Sequence, residues 1–182
     1  MSRVPVHTLA DAPEQTRPTL EALRKQMGKL LNIHAGMAHS PVVLGAYTGM
    51  QEAIANLGTF DGSTREAIAL AVGAVDHCGY CQSAHTLGGR AAGLDPERML
   101  AIRAGRPTGD DKLDALLAVM REAAGEVGNV QDDTWKQAQA AGWSDEELAE
   151  AFAHLAVNLF TNYFNHYVGT ELDLPPAPAL HA

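Results

Sequence analysis

Basic residues are scarce in this chain: Lys and Arg number 13 against 22 Asp and Glu, giving a net charge of −9 at pH 7. With no basic patch to neutralise phosphates, nucleic acid is excluded as a partner. Aromatic residues are also few, at 5%, although 46% of the chain is apolar. The apolar content is therefore mostly Ala, Leu and Val, which suits close-packed helices. No run approaches the roughly 18 apolar residues that a membrane span needs, so no membrane partner is expected. The opening segment MSRVPVHTLADAPEQ lacks a charged-then-apolar export pattern, and a cytoplasmic location is the expectation. Strand-like alternation bounded by hairpin turns is missing, as are repeats and low-complexity tracts. Cysteine occurs only twice. In a reducing compartment a close pair reads as catalytic or metal-binding before structural.

What is present is helical periodicity over 182 residues, within reach of one domain. An extended arm over residues 1–12 precedes a helix from Glu14 to about Asn32, with Leu20, Leu23, Met27, Leu30 and Leu31 on one stripe. The next runs from Ser40 as N-cap and Pro41 to Gly58. Ser63 with Glu66 has the spacing of a capping box, as do Ser144 and Glu147. Further helices follow in YCQSAHTLGGRAAG, from Asp95, in DDKLDALLAVMREAAGEVG and in DDTWKQAQAAG. The last helix carries Leu148, Phe152, Leu155 and Leu159 on one stripe, and Ala149, Ala156, Phe160 and Tyr167 on a second. Two apolar faces on one helix point to a partner surface and hence to a homo-oligomer. The expected fold is a single all-α domain of about seven or eight helices, ending in a Pro-rich tail over residues 174–182.

Both cysteines fall in HCGYCQSAH, residues 77–85. A C-x-x-C at a helix start places the sulfurs where first-turn amides and the helix dipole favour a thiolate. His85 lies four residues after Cys81 and projects from the same helix face, where it can take or give a thiol proton. Gly88 and Gly89 follow and permit a close approach by another backbone. Three readings compete: a buried core pair, a zinc site using Cys78, Cys81 and His85 with His77 or Glu66, and a redox dithiol. Structural zinc usually takes four ligands, and the chain offers no second C-x-x-C or paired His. The redox dithiol is favoured, with no bound metal or cofactor.

The stretch REAIALAVGAVDHCGYCQSAHTLGGRAAGL resembles the core motif of the AhpD-like alkylhydroperoxidases of the carboxymuconolactone decarboxylase superfamily. That motif is a Glu, a C-x-x-C about a dozen residues on, and then x-x-x-His; here these are Glu66, Cys78, Cys81 and His85. NIHAGMAHSPVVL and FTNYFNHYVGTELDLP resemble its flanking segments. The resemblance implies a helical trimer or hexamer that reduces a small hydroperoxide. Cys81 would meet the peroxide and Cys78 would close a redox-active disulfide. Glu66 and His85 would relay protons, and a dithiol, thioredoxin or lipoyl-type donor would restore the thiols. A carboxymuconolactone decarboxylase-like activity, or a non-enzymatic redox-responsive or zinc-binding oligomer, is the alternative. Some relatives carry His where this chain has Tyr80, which makes Tyr80 a possible relay group in its place. His77 is a second possible relay residue, though a helix C-terminal role suits it better.

Activation by the helix start and His85 leads to the expectation that the Cys81 thiol is more acidic than a free one. Asn162, Asn165, His154 and His166 on the last helix read as packing or helix-end groups. His34 and His39 read as structural, and Trp135 and Trp143 as core or subunit contacts.

Overall fold

The computed structural model describes residues 1–180; the end of the expected tail, His181 and Ala182, lies outside them. Among the described residues the chain forms nine α-helices and no strand. They are α1 (Arg17–Met27), α2 (Asn32–Met37), α3 (Pro41–Leu57), α4 (Gly62–Val75), α5 (Gly79–Ala91), α6 (Pro96–Arg103), α7 (Asp111–Gly125), α8 (Asp132–Ala140) and α9 (Asp145–Val168). None of them is long and apolar enough to cross a membrane.

The expectation of seven or eight helices misses α2. Gly28 adopts φ 76°, a left-handed conformation open to glycine, and stops α1 before Leu30 and Leu31. Leu31 then runs extended and α2 starts afresh after it. A six-residue helix has too few turns to show a period. The capping box expected at Ser63 and Glu66 is also absent. Asp61 is the N-cap of α4, accepting the Thr64 N–H at 2.7 Å, and the Ser63 hydroxyl donates to the same carboxylate at 2.9 Å. That leaves Glu66 free for another partner. The second capping box, Ser144 with Glu147, is formed.

Helix α4 is the central element. Every residue from Ala67 to Gly73 is buried, and α5, α6, α7 and α9 pack around it. Its small side chains allow that: a Cβ on Gly73 would sit 3.6 Å from the Cβ of Cys81. The main core joins α4, α6, α7 and α9, with Phe60 and Trp143 meeting edge to face at 5.5 Å. A second cluster brings Leu20, Leu31, Ile33, Met37 and Leu44 onto Cys78, Tyr80 and Cys81.

Both ends of the chain are fastened to this second cluster's side of the molecule. The N-terminal arm is anchored on α9 by the Arg3 N–H on the Val168 carbonyl at 2.6 Å. The segment after α9 is held by Asp173, which accepts from Tyr80 Oη at 2.7 Å and pairs with Lys29 at 3.2 Å. Farther along, Ala177 N–H donates to Ser83 Oγ at 3.0 Å, and Arg103 donates to the Pro178 carbonyl at 2.7 Å.

Candidate active site

A two-residue turn delivers the cysteines. Helix α4 closes with Asp76, and His77 takes a left-handed φ of 53°. The Cys78 N–H returns to the Gly73 carbonyl at 2.9 Å, and Cys78 becomes the N-cap of α5. Its sulfur does what an N-cap oxygen ordinarily does, accepting the Cys81 N–H at 3.3 Å. The two thiols are free, buried, and 2.7 Å apart. That separation lets them close into a disulfide with little backbone movement.

The acidity of the pair runs opposite to the expectation for Cys81. The Cys81 thiol donates to Cys78, and the Cys81 N–H, the nearby His166 charge and Asn165 add to this. Against the opposing effect of burial they bring the Cys78 thiol down to about 6. The Cys81 thiol is pushed up, by its bond to Cys78, by burial and by the charge on that neighbour. A helix start does produce an acidic thiol, but at the N-cap position and not one turn in.

Glu66 and His85 come together across the α4–α5 interface, with Nδ1 and Oε2 at 2.8 Å and both side chains roughly three-quarters buried. The close packing comes from Gly88, where a Cβ would fall 2.6 Å from the Glu66 carboxylate. Gly89, beside it, makes room for Met99 Sδ, which would lie 2.7 Å from an added Cβ. The glycine pair thus admits side chains, where a second backbone was expected. His85 makes no hydrogen bond to either sulfur.

The two possible relay residues are placed elsewhere. Tyr80 is buried, and its hydroxyl serves Asp173 and the Ile33 amide. Burial and the Asp173 carboxylate push its phenol further up. His77 is exposed on the turn and joins no hydrogen bond to the site. The alternative zinc ligand set is not assembled either. Among the described residues no three His, Cys, Asp or Glu side chains have a metal-holding arrangement.

Three α9 residues read from the sequence as packing or helix-end groups instead serve the site. Asn165 Nδ2 donates to Cys81 Sγ at 3.2 Å and lies 3.8 Å from Cys78 Sγ. One turn earlier on α9, Asn162 Nδ2 donates to Asp76 Oδ2 at 2.6 Å, and His166 Nε2 reaches the Asp76 carbonyl at 3.0 Å. These two bonds brace the turn that carries Cys78. Tyr47 of α3 packs against the second apolar cluster, which includes both cysteines, and its hydroxyl lies 3.4 Å from His34 Nε2. Burial first, and then the charges of Cys81 and Glu66, push the Tyr47 phenol up. Burial holds His34 down at about 4, so it is neutral at pH 7. A sequence signal for the asparagines did exist. Asn158, Asn162 and Asn165 recur at steps of four and three, the spacing of a buried helical face, and all three are buried.

Residues 41–126 match the family model of the carboxymuconolactone decarboxylase family. Most of the chain also superposes on a solved alkylhydroperoxidase AhpD core, an uncharacterized peroxidase-related protein from Ralstonia eutropha JMP134. The TM-score is 0.83 at 22% identity, over 94% of this chain and 92% of that one. The fold is AhpD-like, and its central segment matches the carboxymuconolactone decarboxylase family model. The AhpD-like fold is shared with an uncharacterized peroxidase-related protein from Silicibacter sp. TM1040, at TM-score 0.77 and 19% identity over 96% of this chain and 91% of that one. It is shared too with the debrominase Bmp8, solved with 2,3,4-tribromopyrrole, at TM-score 0.80 and 18% identity over 95% and 92%. No protein of curated function matches the chain.

Proposed function

We propose that this protein is a hydroperoxide reductase working through the Cys78–Cys81 dithiol. The observation that carries the reading is the buried thiol pair 2.7 Å apart, with a thiolate favoured at the α5 N-cap. The resting charge sits on Cys78, and transfer of the shared proton across the pair moves it to Cys81. There the Asn165 amide donates at 3.2 Å, and the Tyr47 phenol feels the charges of both Cys81 and Glu66, whose carboxylate is paired with His85. The Cys81 thiolate attacks one peroxide oxygen. The S–O bond forms as the O–O bond breaks, and the leaving alkoxide takes a proton from the Glu66–His85 pair. Cys81 is then a sulfenic acid. The Cys78 sulfur displaces its hydroxyl as water, and the disulfide forms. An external dithiol, of thioredoxin or lipoyl type, supplies two electrons and two protons to reopen it. A decarboxylase-like lactone enzyme leaves this dithiol without a use, and a non-enzymatic redox-responsive or zinc-binding oligomer would use it without peroxide turnover.

The test is hydroperoxide consumption with a dithiol donor, together with trapping of sulfenic acid by dimedone and mass spectrometry. Cys81→Ser should abolish turnover. Cys78→Ser should reduce about one equivalent of peroxide and leave the adduct on Cys81. Turnover that survives Cys81→Ser overturns the reading. Thiolate attack on bromine would use the same sulfurs, so a brominated pyrrole is run alongside. Its turnover in the absence of peroxide turnover would replace hydroperoxide by halide as the substrate. The protein is further proposed to act as a homo-oligomer in the cytoplasm. Phe152, Tyr163 and Tyr167 are 56–76% exposed on α9, and a monomeric mass by light scattering would contradict that assembly.

A further inference from the structure

Asn165 is 5% exposed, and its amide nitrogen has no partner other than the two sulfurs. Its amide oxygen is buried with no hydrogen-bond partner. The same holds for the oxygen of Asn162, whose nitrogen is used on Asp76. An asparagine kept only for packing would satisfy both ends of its amide, because a buried unpaired polar atom destabilises the fold. A neutral thiol or a disulfide sulfur is a poor acceptor, whereas a thiolate is a good one. The placement of Asn165 therefore favours one redox state of the pair over the other.

We propose that Asn165 is a third catalytic group of the dithiol, whose amide sustains the reduced thiolate form, loses its acceptor when the disulfide closes, and so poises the pair as an oxidant. The inference rests on the dithiol cycling between these two forms; it does not depend on which substrate oxidises it. Closing the disulfide joins the two sulfurs and releases two electrons and the one proton that the thiol–thiolate pair shares to the oxidant. The anionic acceptor that faced the Asn165 N–H vanishes with them. Stabilising the reduced form raises the reduction potential of such a couple. The Asn162–Asp76 and His166–Asp76 bonds keep α9 in register with the turn, which fixes the amide against both sulfurs at once.

The experiment is a redox titration of the full-length protein in glutathione buffers, reading the dithiol-to-disulfide ratio by alkylation and mass spectrometry. Wild type is compared with Asn165→Leu and Asn165→Asp. Loss of one hydrogen bond to a charged sulfur should shift the ratio toward disulfide by about 10-fold, or about 30 mV more negative. Aspartate is isosteric but cannot donate and repels the thiolate, so its shift should be at least as large; it also carries the test if the leucine variant does not fold. The pH of half-maximal alkylation should rise in both variants, a change that altered packing alone does not produce. A folded variant with the wild-type ratio and alkylation profile overturns the proposal, as does a shift toward dithiol. No peroxide enters this assay. A wild type that ignores peroxides but shows the Asn165 shift refutes the substrate reading and keeps this one.

Discussion

Adjacent glycines on α5 separate chemistry from stability. In Gly88→Ala the new Cβ would fall 2.6 Å from the Glu66 carboxylate, which must move. Glu66 is 26% exposed, so it can swing toward solvent, and the 2.8 Å bond to His85 Nδ1 is lost. Replacing a mid-helix glycine with alanine gains about 0.5–1 kcal/mol. Losing a partly solvated ion pair costs about 0.5–1 kcal/mol. The two nearly cancel, so Tm should stay within about 3 °C of wild type. Proton relay is worth roughly 10²–10⁴ in rate, and losing its geometry should lower kcat/KM for hydroperoxide by at least about 10-fold. Gly89→Ala does the reverse. Its Cβ would press on Met99 Sδ at 2.7 Å and Leu94 Cδ1 at 3.2 Å, both buried and remote from the relay. Overpacking strain of about 1–3 kcal/mol against the same helix gain leaves a net loss near 1–2 kcal/mol. Tm should fall by about 2–8 °C with turnover at permissive temperature preserved. Scanning calorimetry and steady-state kinetics on both variants decide the matter. Wild-type turnover in Gly88→Ala, or a Tm loss there as large as in Gly89→Ala, would refute the account of why these glycines are here.

Iodoacetamide should label Cys78 before Cys81, with a rate half-maximal near pH 6, where that thiol ionises; peptide mapping across pH 4–9 reads both the site and the midpoint. Tyr80→Phe should leave turnover within about 3-fold of wild type, since the hydroxyl serves Asp173, while amide exchange at Ala177 accelerates as the tail loosens. Glu150 is held at about 2: burial alone would raise it, but the Thr59 hydroxyl and N–H, His154 and the Phe60 N–H overcome burial. Its folded value lies below its unfolded one, so its contribution is complete above about pH 4.5 and is lost as pH falls toward 2. Glu150→Gln should cost about 2 kcal/mol at pH 7 in urea melts and flatten the acid limb; an unchanged limb would refute the assignment.

The helices legible from sequence were those with a long apolar stripe or a strong cap. Ser144 with Glu147 marked the start of α9, and Pro41 marked α3. Helix α2 escaped because Gly28 interrupts a stripe that otherwise continues through Leu31. Asp61 took the N-cap position that the spacing gave to Ser63, and it accepts the Thr64 N–H instead, a contest that spacing alone does not judge. At the site, local spacing marked the cysteines and His85, which lie within one helix or at its cap. The Glu66–His85 contact spans two helices, and only the resemblance joined those residues. Asn165 is 84 residues from Cys81, and no local pattern connects them. Nor did spacing show that Tyr80, two residues after the first cysteine, turns away to hold the tail.

That same long separation has a consequence for the birth of the protein. Synthesis from Cys81 to Asn165 takes about 4–17 s at usual ribosomal rates. During that interval α4 and α5 can already dock, and the thiols meet without the helix that later covers them. The nascent chain therefore carries an uncovered vicinal dithiol, open to oxidants or soft metal ions, until its final helix folds. A pulse-labelled chain stopped before residue 145 should show both thiols reacting with maleimide at once, whereas in the finished chain both react more slowly and Cys78 reacts before Cys81. For this protein, maturation is complete only when α9 settles over the sulfurs.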